Sequence, residues 1–301
     1  MDRLSALLNL FQPETQSVSQ MCLTEQTPLS YPDTGQGCLY LIQSGALILT
    51  SDSLAIHQRH QSGDLLWLPR GSAHHLAADG LGSDDLETDD LEKECVVTRI
   101  VIHFLNQELN LLQNTLPGLL NLPTEDSQAA SLKPLVQLMC QEAGQQRCGH
   151  TTVVNRLAEV LLVTLLRYLM AERKVDTGIL GGLSDIRLAK ALTGIHDNPG
   201  QSWNLEQLAQ TAGMSRTSFS QQFRATVGFT PADYLAQWRM SLACKKIRRG
   251  QTSIATLADE LGYQSETAFR RAFRKITGHP PGFFKHPAND AQMLEAEKME
   301  I

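Results

Sequence analysis

The strongest constraint on this chain is one pattern written twice, fifty residues apart, near the C-terminus. The first copy reads Leu205-Glu-Gln-Leu208-Ala209, then Gly213, then Phe219 and Phe223; the second reads Ile254-Ala-Thr-Leu257-Ala258, then Gly262, then Phe269 and Phe273. Large apolar residues beside a small alanine predict a helix that a neighbour can approach closely. Glycine then marks a turn where the backbone needs a positive φ. Phenylalanines four apart share a face of a second helix and predict its anchorage in a core. Helix, tight turn and helix is the unit that sets one helix into a DNA groove.

The face opposite the phenylalanines carries Arg216, Thr217, Ser220, Gln221 and Arg224 in the first copy. In the second it carries Glu266, Thr267, Arg270, Arg271 and Arg274. Arginine matches a guanine edge, glutamine an adenine edge, and Ser or Thr either bases or phosphates. Glu266 suits either cytosine selection or capping of its helix. Pro231 opens a helix over 232–249 that Gly250 closes, the expected asymmetry of helix ends. About 18 residues at 1.5 Å each span ~27 Å, the order of one DNA turn of ~34 Å. The implied partner is double-stranded DNA, read at two successive grooves. Arg239, Lys245, Lys246, Arg248 and Arg249, on or just after the joining helix, suit either solubility or contact with the phosphate backbone.

Charge sharpens the reading. The 301 residues carry a net charge of -6, which taken whole disfavours nucleic acid. Residues 183–286, however, hold 14 Lys+Arg against 7 Asp+Glu, net +7; the other 12 basic and 25 acidic residues give -13. A basic C-terminal third suits a phosphate backbone. The length suggests about two domains. No apolar run reaches the ~18 residues of a membrane span, and the N-terminus does not read as a signal peptide. The six scattered cysteines look like reduced thiols. These features predict a cytoplasmic protein without a membrane partner.

Residues 20–106 read as strands and turns. Residues 38–50 predict a hairpin about Ser44-Gly45, 65–68 a short strand stopped by Pro69, and 96–104 a strand rich in β-branched side chains. Between Asp79 and Glu94 lie seven carboxylates from Asp84 onward, read as a solvated loop; they lack the ligand spacing of a calcium loop. From about residue 106 the pattern is helical. Val153, Leu157, Val160, Leu161, Thr164, Leu165, Tyr168 and Leu169 recur at three- and four-residue steps in a helix over 151–174. That broad stripe suits a core helix or a homodimer helix. Residues 175–182, with three glycines, read as a linker.

Ser202-Trp-Asn-Leu-Glu-Gln-Leu-Ala209, residues 213–224, Gly228-Phe-Thr-Pro231 and Gly262-Tyr-Gln-Ser-Glu-Thr-Ala-Phe269 together resemble the AraC/XylS family of bacterial transcription regulators over about residues 184–285. Gly278-His-Pro-Pro281 and Phe284-Lys285 depart from the family's usual Gly-x-Thr-Pro and Tyr-Arg, conservatively in shape or charge. The resemblance implies base contacts from Thr217, Ser220 and Gln221 in one groove and from Thr267, Arg270 and Arg271 in the next. It also implies an activator role, RNA polymerase as a partner, and a homodimer.

Gly63, Pro69, Gly71 and His74 resemble the second motif of the cupin-type sensor domain found in that family. The first cupin motif, with its histidine pair and glutamate, is missing; Cys38-Leu39-Tyr40 stand in its place. No cofactor is therefore expected, although His57, His60, His74 and His75 offer nitrogen ligands and leave a metal possible, with His57, His60 and His74 the candidate set. Tyr40, His74 and His75 are candidate sensor residues, as are Cys22, Cys38 and Cys95. Cys22 and Cys95 fall where several similar regulators carry cysteine, so the signal is either a small molecule or an oxidant.

The expected fold is a two-domain α+β chain. Residues 1–180 form a cupin-like β-barrel sensor with a helical dimerisation and connector region (helices about 107–174). Residues 183–286 form an all-α DNA-binding domain with two helix-turn-helix motifs, and 287–301 a tail. A cupin enzyme is the main alternative; it leaves the basic helical domain unexplained and lacks the first metal motif.

Overall fold

The computed structural model describes residues 2–79, 94–104, 109–122, 132–145, 147–250 and 252–285. The acidic run from Asp84 and the 287–301 tail lie outside them. In chain order the elements begin with α1 (Ser5–Phe11), β1 (Pro13–Leu23), β2 (Leu29–Tyr31), β3 (Gly37–Ser44), β4 (Ala46–Ser51), β5 (Ile56–Gln61), β6 (Leu65–Leu68), β7 (His74–Ala78) and β8 (Cys95–Phe104). Next come α2 (Leu111–Thr115), β9 (Leu120–Leu122), α3 (Lys133–Gln145) and α4 (His150–Ala171). The helical part continues with α5 (Gly178–Ser184), α6 (Ile186–Asp197), α7 (Leu205–Ala212), α8 (Arg216–Val227), α9 (Pro231–Arg248), α10 (Ile254–Glu260) and α11 (Glu266–Thr277), and a 3-10 turn over Pro281–Lys285. Among the described residues no helix is long and apolar enough to cross a membrane.

The chain divides into two compact units that do not follow linear boundaries. One comprises Pro13–Phe104 and Leu116–Lys174; the other comprises Met1–Gln12, Leu105–Thr115 and Val175–Ile301.

In the first unit two sheets, ordered β1-β8-β3-β6-β9 and β2-β7-β4-β5, enclose a core of alternating inward side chains. Leu23, Tyr40, Ile42, Leu47, Leu49, Leu66, Leu76, Val97 and Val101 belong to it. The hairpin expected about Ser44-Gly45 is not formed. β3 pairs with β6 and β8, and β4 with β5 and β7, so Gly45 carries the chain from one sheet to the other. Its φ of +77° and its closeness to the Glu94 carbonyl, 2.6 Å from where a Cβ would stand, leave room only for glycine there. α4 lies on β1 and buries Leu161, Leu165, Tyr168 and Leu169, whereas Val153 and Val160 of the same stripe stay exposed.

In the second unit the stretch expected to be a linker is the helix α5, buried from Gly178 through Leu183. Its glycines serve close approach rather than flexibility. A Cβ on Gly178 would fall 2.4 Å from Thr115, and one on Gly182 2.8 Å from Leu192 and Val227. Residues 2–12 complete this unit. Leu7, Leu10 and Phe11 of α1 are buried, the Phe11 ring meets Trp238 of α9 edge-on at 6.3 Å, and Arg3 donates to the Leu183 carbonyl.

Candidate DNA interface and barrel interior

Each copy of the repeat folds as a capped pair of helices. Asn204 starts α7 with a reciprocal cap, its side chain accepting from the Gln207 N–H while Gln207 accepts from the Asn204 N–H. Gly213 ends α7 at φ +66°, and the Ser215 hydroxyl caps α8 by accepting from the Ser218 N–H. In the second copy Ser253 caps α10, Gly262 turns at φ +74°, and Ser265 caps α11. Phe219, Phe223, Phe269 and Phe273 have no exposed surface. Burial of each contributes roughly 1.5–3 kcal/mol, which fixes the rotation of α8 and α11 about their axes.

That rotation turns the polar faces outward. Arg216, Thr217, Gln221 and Arg224 are exposed and Ser220 half-buried on α8. Thr267, Arg270, Arg271 and Arg274 are exposed and Glu266 half-buried on α11. Glu266 does not cap its helix, since the Ser265 hydroxyl already does; its carboxylate instead pairs with Arg270 at 2.6 Å, one turn on. This i,i+4 pair holds the Arg270 fork against the helix, leaving Arg271, Arg274 and Lys275 as the cations of α11 without an ion-pair or hydrogen-bond partner among the described residues.

The joining helix α9 has 18 residues, with Thr230 as cap and Pro231 at its first position. Its cations are engaged within the unit. Arg239 donates to the Pro199 carbonyl (2.7 Å) and the Gln201 carbonyl (2.9 Å), and its guanidinium lies over Tyr263. Lys245 donates to the Asn9 carbonyl, Lys246 pairs with Glu260, Arg248 lies over Phe284 and Arg249 donates to Gln12. Arg239 thus ties the loop before α7 to the turn of the second copy. Beneath α9, His196 Nε2 shares a hydrogen bond with the buried Tyr234 hydroxyl (2.6 Å) and its ring stacks on Trp238, and burial drives its pKa down to about 3.

In the barrel, Tyr40, His74 and Cys38 come together, joined by a residue the sequence reading missed, Arg99. The Ser72 carbonyl can only accept, so His74 Nδ1, 2.6 Å away, carries the ring proton. His74 Nε2 then accepts from the Tyr40 hydroxyl (2.7 Å), whose oxygen accepts from Arg99 Nε (3.3 Å). Burial lowers the His74 pKa, which keeps the ring neutral in this chain of bonds, and burial raises that of Tyr40. Arg99 also lies 3.5 Å from Cys38 Sγ and over the Tyr31 ring, which stacks on His74. The signal for Arg99 was present. It is the one charged residue on the inward alternation of β8, between the core residues Val97 and Val101.

The other candidates are dispersed. His75 is exposed and bonds Ser30. His57 is exposed on β5, while His60 three residues on is buried, without a hydrogen-bond partner on either ring nitrogen. His57, His60 and His74 do not converge, and among the described residues no three His, Cys, Asp or Glu side chains cluster to hold a metal ion. The residues present therefore do not fit a cupin metal centre. Cys22 and Cys95 are neighbours at the end of the β1–β8 pair, but Leu23 stands opposite Cys95 and Val96 opposite Cys22. Cys22 is exposed and Cys95 buried. Burial, then the Cys22 thiol, pushes Cys95 up to about 11, and a hydrogen bond to Glu94 raises Cys22.

Two family models match, a cupin over residues 2–171 and a helix-turn-helix domain over residues 208–286. An HTH-type transcriptional regulator from Haemophilus influenzae is 31% identical over 270 residues, 84% of this chain and 87% of its own length. This chain belongs to the AraC family of helix-turn-helix transcriptional regulators, with an N-terminal cupin domain. An AraC-like transcription regulator from Streptomyces lividans is 36% identical over 179 residues, and the match spans 59% of each chain. The RCS-specific HTH-type transcriptional activator RclR of Escherichia coli K12 is 27% identical over 291 residues, 95% of this chain and 97% of its own length. The family is one of transcription regulators rather than enzymes, and its helix-turn-helix domain matches the capped, phenylalanine-anchored helix pairs described above.

Proposed function

We propose that this AraC-family chain is a sequence-specific transcriptional regulator of the cytoplasm, an activator that contacts RNA polymerase and works as a homodimer. The observation that carries the DNA reading is the outward rotation of α8 and α11 by four buried phenylalanines. Arg216, Thr217, Ser220, Gln221 and Arg224 read one major groove, and Thr267, Arg271 and Arg274 the next. Glu266 sets the geometry of Arg270. Phosphate contacts position the unit and base edges give specificity. Arg271→Ala should weaken binding to the cognate site by ~1–3 kcal/mol and leave random DNA nearly unaffected. An equal loss on both would show that Arg271 touches phosphate only.

The homodimer reading rests on the exposed part of the α4 stripe, Val153 (41% exposed) and Val160 (50%), with Leu157 and Thr164 half-buried between them. The signal enters through the barrel interior as a small molecule. A second reading is an oxidant switch. The relative RclR is named RCS-specific, and Cys22 lies diagonally across from Cys95 in the β1–β8 register. Both thiols are held protonated and on opposite faces of the strand pair, so a disulfide needs local movement of β1. The Cys22→Ser, Cys95→Ser double variant should lose any oxidant response of DNA binding; a response that persists removes the thiol reading.

A further inference from the structure

Arg99 is a cation set among the inward-facing side chains of the barrel. β8 turns Cys95, Val97 and Val101 into the core, and Arg99 shares their face. A guanidinium in such a place usually has a carboxylate beside it, because removing the charge from water is costly unless it is paired. Among the described residues Arg99 has no such partner. Its neighbours are the Tyr40 hydroxyl, the Cys38 sulfur and the Tyr31 ring, all uncharged at neutral pH.

The direction of the hydrogen bonds shows which edge is used. The chain from Ser72 through His74 and Tyr40 consumes the Nε–H of Arg99. Among the described residues the Nη edge makes only one long contact, to a thiol sulfur, and sulfur is a weak acceptor. The side chain retains partial exposure. Tyr31 supports one face of the guanidinium, and Tyr40 fixes its rotation. What remains is a planar, oriented pair of donors, the geometry that a carboxylate accepts bidentately. The flank beside the guanidinium is aromatic, supplied by the half-buried Tyr31 ring.

We infer that the barrel interior is a binding site for a small organic carboxylate, docked on the Nη edge of Arg99 with its apolar body against Tyr31. This names the ligand class of the small-molecule signal and rests on that reading. The experiment is calorimetric titration of the full chain, without DNA, with benzoate, salicylate and octanoate, each beside its uncharged amide. At least one carboxylate should bind at least tenfold more tightly than its amide. Arg99→Gln should reduce that affinity about tenfold or more, and Arg99→Lys, which keeps charge but loses the fork, by an intermediate factor. Circular dichroism of both variants confirms that they are folded; should Arg99→Gln not fold, Arg99→Lys and the carboxylate-to-amide ratio decide. Equal binding of acids and amides, no binding of any of the three acids, or unchanged affinity in the folded variants would overturn the site. Because the titration contains no DNA, its failure leaves the transcriptional reading standing, and failure of DNA binding leaves the carboxylate result standing.

Discussion

The two glycine turns of the repeat occupy the same place in the motif but different surroundings, and this gives a matched test of how the second copy is held. Gly213 turns at φ +66° with nothing within 4 Å of a hypothetical Cβ. Gly213→Ala should therefore cost only the left-handed backbone penalty, ~1–2 kcal/mol. Gly262 turns at φ +74°, but a Cβ there would fall 2.2 Å from the Gly200 carbonyl oxygen and 3.0 Å from Arg239 Nη2. The carbonyl belongs to the loop that Arg239 grips through Pro199 and Gln201. Alanine at 262 must push that loop away and loosen both bonds. With an overpacking cost of ~1–3 kcal/mol added to the backbone term, Gly262→Ala should lose roughly 2–5 kcal/mol. Urea unfolding followed by tryptophan emission measures both, since Trp203 and Trp238 report on this unit. Gly262→Ala should exceed Gly213→Ala by at least ~1 kcal/mol. Equal losses would refute the argument that the second turn is seated against the loop before α7.

Two further expectations concern the cores. Folded His196 titrates near 3 and an unfolded histidine near 6.5, so unfolding takes up a proton between these values. Stability should fall as pH drops from 6.5 toward 3, by up to ~1.4 kcal/mol per pH unit from this group; His196→Phe should remove that part of the slope, and an identical pH profile in the variant would refute it. On α4, Val160→Glu should give monomers by light scattering with little loss of stability, whereas Leu161→Glu, fully buried, should unfold the unit; an unchanged mass for folded Val160→Glu removes the homodimer face.

Much of the DNA-reading unit was legible in the sequence because its determinants are local. Phenylalanines at a four-residue step and turn glycines declare themselves within a dozen residues, and Phe219 and Gly213 stand where such spacing puts them. The failures share one cause, tertiary partners remote in sequence. An alternating pattern gives the faces of β3 and β4 but not their partners, so a corner between sheets read as a hairpin. Gly178 and Gly182 read as flexible because the groups they approach, Thr115 for the one and Val227 for the other, lie far along the chain. The cations of α9 read as surface charge because the carbonyls of Pro199 and Asn9 that they grip are not foreseeable from their own helix. Arg99 was overlooked inside a β-branched run, where one charge on the inward alternation was the available clue.

The most direct test of paired reading uses a site selected from random DNA by the purified chain. Insertion of about 5 base pairs, half a helical turn, between its two recognised segments rotates the second to the far side of the duplex. Affinity should fall to that of DNA carrying one segment alone. Binding undiminished by the insertion would contradict simultaneous reading by α8 and α11.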